Sequence, residues 1–147
     1  MKHKFNNRKQ AGFTLIEVIV VLVILGILAS IVVPNVISRT DQAQIVKAQQ
    51  DIRALESALQ MYRVDNFTYP TTGQGLEALV EKPTSGPEAK NWQKGGYIKK
   101  VPTDPWQNDY QYVSPGQEGD FDLYSLGADG RPGGVDTNAD IGNWELE

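Results

Sequence analysis

The sequence predicts an α+β fold: one long N-terminal helix packed on a small C-terminal domain with a short antiparallel sheet. Three observations carry this. Phe13 to Val33 is almost wholly apolar. Beyond it, Ile45, Ala48, Ile52, Leu55, Leu59 and Tyr62 recur at spacings of three and four, the stripe of an amphipathic helix. Near the C-terminus, two segments alternate apolar and polar residues across a Gly-containing turn, the pattern of a β-hairpin.

Residues 1–12, MKHKFNNRKQAG, form a basic leader with Lys2, Lys4, Arg8 and Lys9 and no acid. Such a flank stays on the cytoplasmic side of a membrane. In residues 13–33, FTLIEVIVVLVILGILASIVV, 17 of 21 residues are apolar. As a helix the run is about 31 Å long, the thickness of a bilayer's hydrocarbon core, so it predicts a transmembrane span. No A-x-A pattern follows it, and it exceeds the apolar region of an ordinary secretory signal. Glu17 is its one carboxylate. A charge at mid-bilayer costs about 2.5–3.5 kcal/mol, less near the edge. Two readings stand for Glu17: it snorkels to the interface, or it pairs with a cation. A cut after Gly12 would create that cation, the new amine of Phe13, one helical turn away. A neighbour's amine is also within reach if packed helices are staggered.

Pro34 follows the apolar run. It removes one backbone donor and crowds the preceding turn. The helical stripe resumes beyond it, with Asp41, Gln44, Lys47, Asp51 and Arg53 on the other face. One helix from about Phe13 to Arg63 is therefore predicted, kinked or weakened at Pro34. Residues 34–63 are its amphipathic continuation. Gly26, Ser30 and Pro34 make the junction its weakest segment.

Residues 64–147 form the globular domain. Residues 64–75 are a loop with Pro70, Gly73 and Gly75. Residues 76–81, LEALVE, suit one or two helical turns. Residues 82–109 read as irregular, with Tyr97, Ile98, Val101 and Trp106 under the helix. Residues 110–113 and 121–126 are strands of a hairpin, joined by the turn 114–119. After a loop, residues 141–146 are predicted as an edge strand carrying Trp144.

Enzymatic motifs are missing. The one histidine, His3, lies in the leader, which excludes a Ser-His-Asp or Cys-His arrangement, and there is no P-loop, dinucleotide fingerprint or HExxH. Residues 104–147 hold ten acids and one base, Arg131, which argues against a nucleic-acid partner and suits a hard cation. With no cysteine, the domain has no disulfide staple, so a metal is to be looked for. The loop 126–140, LGADGRPGGVDTNAD, places Asp129, Asp136 and Asp140 among four glycines. Calcium takes six to eight oxygens at about 2.3–2.6 Å, and glycines let backbone carbonyls turn inward. It is not an EF-hand, and an acidic surface turn has the same composition. The missing disulfides move the balance towards metal.

G-F-T-L-I-E over residues 12–17, followed by the apolar run ended by Pro34, resembles the signature of the type IV pilin-like family. YPTTGQGLEALV (69–80), DPW (104–106), FDLYSLGADGRPGG (121–134) and ADIGNW (139–144) narrow the resemblance to the major pseudopilins of bacterial type II secretion systems. The resemblance covers almost the whole chain. It implies the pilin-like α+β fold and cleavage between Gly12 and Phe13 by a prepilin peptidase, which N-methylates Phe13. It implies a single-pass inner-membrane precursor, surrounded by lipid, with its C-terminal domain in the periplasm. Glu17 and Pro34 then serve assembly into a homopolymeric periplasmic pseudopilus that helps folded proteins cross the outer membrane. Minor pseudopilins and an inner-membrane assembly platform are the implied partners. The resemblance also implies one Ca2+, held by the carboxylates of Asp129 and Asp136 and the carbonyls of Leu126, Arg131 and Gly134, with Asp140 unassigned. Two other readings are a type IV pilus subunit, many of which carry a cysteine pair, and a single-span anchored binding domain. The anchor would need neither Gly12-Phe13 nor Glu17.

Overall fold

The computed structural model describes residues 12–146, without the side chains of residues 32–38. The leader through Ala11 and the side chain of Pro34 therefore lie outside the described residues. The chain forms two compact units that meet between Arg39 and Thr40.

Helix α1 (Leu15–Asn66) begins in the first unit and ends in the second. It starts two residues later and ends three residues later than the sequence predicts. Every described side chain from Phe13 to Ile31 is exposed. Among the described residues no helix is long and apolar enough to cross a membrane. The described side chains of the apolar run stop at Ile31, inside the segment that the sequence reads as a span.

In the second unit the predicted stripe is the core face of α1. Ala48, Ile52, Leu55, Leu59 and Tyr62 are buried, Ala58 joins them, and Ile45 packs at the edge. The core closes from below with Leu76, Ala78, Leu79, Ala89, Tyr110, Tyr112, Phe121, Leu123 and Ile141. Burying a Leu or Ile side chain contributes about 1.5–3 kcal/mol, so this face holds the domain to the helix. Tyr97, Ile98, Val101 and Trp106 pack against the core as predicted, and Trp92 does so as well. Trp92 donates its indole N–H to the carbonyl of Ala78 at 2.8 Å. Leu76–Leu79 is one turn of 3-10 helix.

The helix end is tied to the irregular segment. Asn66 donates to Tyr97 Oη at 3.0 Å, and Tyr97 Oη donates to Asp65 Oδ2 at 3.0 Å. Asn91 reaches the carbonyl of Asp65 at 2.9 Å. These contacts carry α1 past Arg63. Phe67 then adopts a left-handed backbone (φ 64°) and donates its N–H to the carbonyl of Arg63 at 2.7 Å. That is the usual way to end a helix, although glycine normally takes this position.

The sheet has three antiparallel strands in the order β1 (Gln111–Val113), β2 (Asp122–Ser125) and β3 (Ile141–Gly142). Tyr112 faces Leu123, and Tyr124 faces Gly142. The predicted edge strand over 141–146 is corrected: only Ile141–Gly142 pairs, and Asn143–Glu145 forms a 3-10 turn. The Asn143 side chain takes over the ladder. Its Oδ1 accepts from Leu123 N–H at 2.9 Å and its Nδ2 donates to the Phe121 carbonyl at 3.3 Å. The backbone is thus free to turn, and Trp144 folds over Gly142 beside Tyr124.

Candidate functional site

The N-terminal element is built on Thr14 and Glu17. The Thr14 N–H donates to Glu17 Oε2 at 2.8 Å and its hydroxyl donates to the same oxygen at 3.1 Å. The Glu17 N–H donates back to Thr14 Oγ1 at 3.3 Å. This is a capping box, which satisfies donors that a helix start otherwise leaves open. Its sequence signal, T-x-x-E at residues 14–17, is masked by the apolar run around it. Gly12 has open space around it, and Phe13 is 89% exposed. The expected processing residues therefore lie in accessible chain beside the cap.

The acidic loop hangs from a buried carboxylate. Asp104 is 1% exposed. Its Oδ1 accepts from Trp106 N–H at 3.0 Å and Asn108 N–H at 2.8 Å, folding the DPW segment into a turn. Its Oδ2 accepts from Ser125 Oγ at 2.7 Å, and that hydroxyl accepts from Gly127 N–H at 3.1 Å. Asn108 also donates to the Gly127 carbonyl at 3.1 Å. Asp104, Asn108 and Ser125 thus fix the start of the loop. Sequence reasoning missed all three as site-positioning residues; the D-P-W-x-N spacing, an Asp placed to accept from amides two and four residues on, was the available signal.

Inside the loop, Ala128 N–H donates to the Thr137 carbonyl at 2.8 Å, which joins the two limbs. Asp129 Oδ1 accepts from Arg131 N–H at 3.1 Å, and Asp140 Oδ2 accepts from Gly133 N–H at 2.9 Å. Gly134 has φ 100°, and a Cβ there would collide with the Asn138 carbonyl oxygen. Asp136 also has a left-handed backbone (φ 55°) and opens a short 3-10 turn, Asp136–Asn138. Of the predicted metal residues, Asp129, Arg131, Gly134 and Asp136 are exposed and Leu126 is half-buried. Among the described residues no three carboxylates or other ligating side chains converge. One atom is conspicuous: Asp140 Oδ1 is buried and has no hydrogen-bond partner. Such an orphaned carboxylate oxygen is costly unless a donor or a cation completes it. The donors on this loop are all hard oxygens, the set Ca2+ uses.

A long helix with an uncovered apolar N-terminal part, a carboxylate in its first turn, and a small α+β domain on its later turns define a pilin-like subunit. Residues 35–144 match the family model for type II secretion system protein G, and residues 7–33 match the prokaryotic N-terminal methylation motif. The type II secretion system core protein G of Pseudomonas aeruginosa is 64% identical over 138 residues, covering 94% of this chain and 97% of that protein. Its counterpart in Vibrio cholerae is 62% identical, covering 95% of each. A crystal structure of the major pseudopilin from the type 2 secretion system of enterohaemorrhagic Escherichia coli matches with a TM-score of 0.68 at 53% identity, covering 78% of this chain and 98% of that one. The chain belongs to the type II secretion system protein G family and is a major pseudopilin, a structural subunit and not an enzyme. Pseudopilins assemble, with other components of the system, into a pseudopilus.

Proposed function

We propose that residues 13–33 hold the precursor in the inner membrane and then become the packed core of a periplasmic pseudopilus. The observation that carries this is the uncovered apolar run. Phe13, Leu15 and Ile16 are 89%, 78% and 68% exposed, and Leu25, Ile27 and Leu28 remain more than half exposed. A run this apolar requires lipid or other helices around it, and a filament supplies the second. Cleavage after Gly12 by a prepilin peptidase, with N-methylation of Phe13, releases the basic leader. The new amine pairs with Glu17 of a neighbouring helix and sets the axial register, with Pro34 marking the end of the packed segment. Minor pseudopilins and an inner-membrane platform are the partners of assembly, and the finished filament helps folded proteins cross the outer membrane.

The loop 126–140 is the Ca2+ site of this reading. Asp129 and Asp136 would supply carboxylates, and Leu126, Arg131 and Gly134 carbonyls. The orphaned Oδ1 of Asp140 supports a place for that residue beside the cation. Bound Ca2+ would neutralise carboxylates that otherwise repel and would hold the loop rigid in a domain without disulfides.

The experiment is mass spectrometry of the N-terminus of the membrane-derived protein. The expected result is loss of residues 1–12 and one added methyl group on Phe13. An intact leader, or a cut beyond the apolar run, would overturn the assembly reading in favour of a plain anchor or a secreted domain.

A further inference from the structure

An open filament needs heterologous contacts: each copy must carry two different, complementary patches. Among the described residues of the second unit, two apolar features stand out as more than half exposed and unused by its own core. One is a row on the last turns of α1, where Met61, Val64 and Phe67 are 52%, 74% and 81% exposed while Leu59 and Tyr62 are buried. The other is Val135, 75% exposed on the acidic loop.

Phe67 is the odd residue. A bulky aromatic in the left-handed region is strained, and this one also leaves its ring in water. The left-handed backbone closes the helix end, but the exposed ring adds nothing to the core of the isolated domain. A phenyl ring at this position makes sense if something else covers it.

The segments that border or carry the two features are opposite in net charge. Residues 82–100 carry five lysines and one acid. That segment is tied to the row: Asn91 bonds to Asp65 and Asn66, and Gln93 lines the same groove as Ser57, Gln60, Met61, Val64 and Asp65, whose carboxylate accepts from Tyr97 Oη. Lys90, Lys94, Lys99 and Lys100 are exposed, and no intramolecular partner engages them among the described residues. Val135, by contrast, sits on a loop with three acids and one base, within a part of the chain (residues 104–147) with ten acids and one base; one Ca2+ offsets the charge of the loop itself and leaves the wider region at a formal −7. Opposite fields of this kind steer encounter and fix register more than they add affinity.

We propose that the row Met61, Val64 and Phe67, bordered by the segment that carries Lys90 and Lys94, receives the acidic loop of a second copy of this chain, with Val135 against Val64. This contact joins globular domains along the filament and rests on the polymerising reading given above. It is separate from the packing of the apolar run.

The chain has no cysteine, so site-directed cross-linking is clean. Full-length chain carrying Val64→Cys and Val135→Cys is produced with its secretion system, filaments are isolated, and a short bis-maleimide is added. The double variant should give a ladder of dimers, trimers and higher species, and each single variant should give none. Filaments without a ladder overturn this contact and leave the assembly reading standing. A chain that forms no filaments, with or without the cysteines, overturns both. In a Met61→Cys, Val135→Cys background, adding Val64→Glu should reduce the ladder about two- to fivefold by like-charge repulsion, and Val64→Lys should not reduce it. Equal losses from Glu and Lys would overturn the assignment of the acidic loop as the occupant.

Discussion

Replacing Asp104 tests whether the acidic loop depends on a buried carboxylate. Asp104→Ala removes the acceptor of three hydrogen bonds, from Trp106 N–H, Asn108 N–H and Ser125 Oγ. Ser125 is 0% exposed, so its hydroxyl has no bulk water to turn to. Each hydrogen bond to a charged group is worth about 1.5–3 kcal/mol net. Water can reach the two turn amides once the carboxylate is gone, and Ser125 can redirect its hydroxyl. The expected cost is therefore about 3–5 kcal/mol, below the simple sum. For a domain near 100 residues that lowers Tm by about 12–20 °C. Asp104→Asn keeps an acceptor for the turn and an amide that can donate to Ser125 Oγ, so it should cost only about 1–2 kcal/mol.

The assay is thermal denaturation of residues 40–147, the second compact unit, followed by circular dichroism. A double-mutant cycle with Ser125→Ala adds a sharper readout. Asp104 and the Gly127 amide meet through the Ser125 hydroxyl, so the two substitutions should couple by about 1–2 kcal/mol. Asp104→Ala melting within about 3 °C of the native domain, or Asp104→Asn costing as much as alanine, would refute the idea that this carboxylate anchors the loop.

Excess chelator should lower the Tm of the same fragment by about 10 °C, the effect of removing a ligand present near 100 times its Kd. Asp140→Asn should blunt that response, and identical melts in EDTA and in calcium would remove the metal from the reading. Burial raises the hydroxyls of Tyr62, Tyr97 and Tyr110, and pushes Tyr112 up to about 12. Between about pH 10, where an unfolded tyrosine ionises, and about pH 12 the folded state holds protons that the unfolded state has lost, so stability should fall as pH rises through that window. Tyr112→Phe should flatten the fall, and an unchanged slope would count against Tyr112 as its source. Phe67→Gly should raise the stability of the fragment by about 1 kcal/mol, because glycine meets the left-handed backbone without strain; a loss of stability would mean the ring already packs within its own chain.

The helix was legible because its signal repeats. Six positions from Ile45 to Tyr62 state the same period, and the core agrees at each. The hairpin was legible for the same reason, over fewer residues. What stayed hidden depends on single side chains standing in for backbone. Asn143 completes the ladder with its amide, so a stretch that looks like a strand turns after Gly142. Asp104 reads as one more acid in an acidic region until it is seen to accept three bonds in the interior. The loop showed its chemistry in its composition, but the direction of its carbonyls is set by the left-handed backbones at Gly127, Gly130, Gly133, Gly134 and Asp136. A pattern of residue types does not spell those angles. Asp140 was left open from sequence because nothing local distinguishes it from Asp136. Its buried, unpartnered oxygen does distinguish it.

Glu17 shows how one residue can serve two states. The sequence presents it as an expensive carboxylate in an apolar run. In the structure it is already engaged, because Thr14 donates twice to Oε2. A carboxylate has capacity for further donors, so a neighbour's amine can add to the cap without replacing it. The two roles separate by substitution. Glu17→Gln keeps an acceptor for Thr14 and loses the charge, so the helix start should survive while filament assembly fails. Thr14→Ala removes the cap hydroxyl, at a cost of about 1 kcal/mol to the helix end, and should leave assembly in place. Filament yield measured for both variants decides the matter. If Glu17→Gln assembles like the parent chain and Thr14→Ala does not, Glu17 matters to assembly only as a helix cap, and the proposed pairing with a neighbour's amine is wrong.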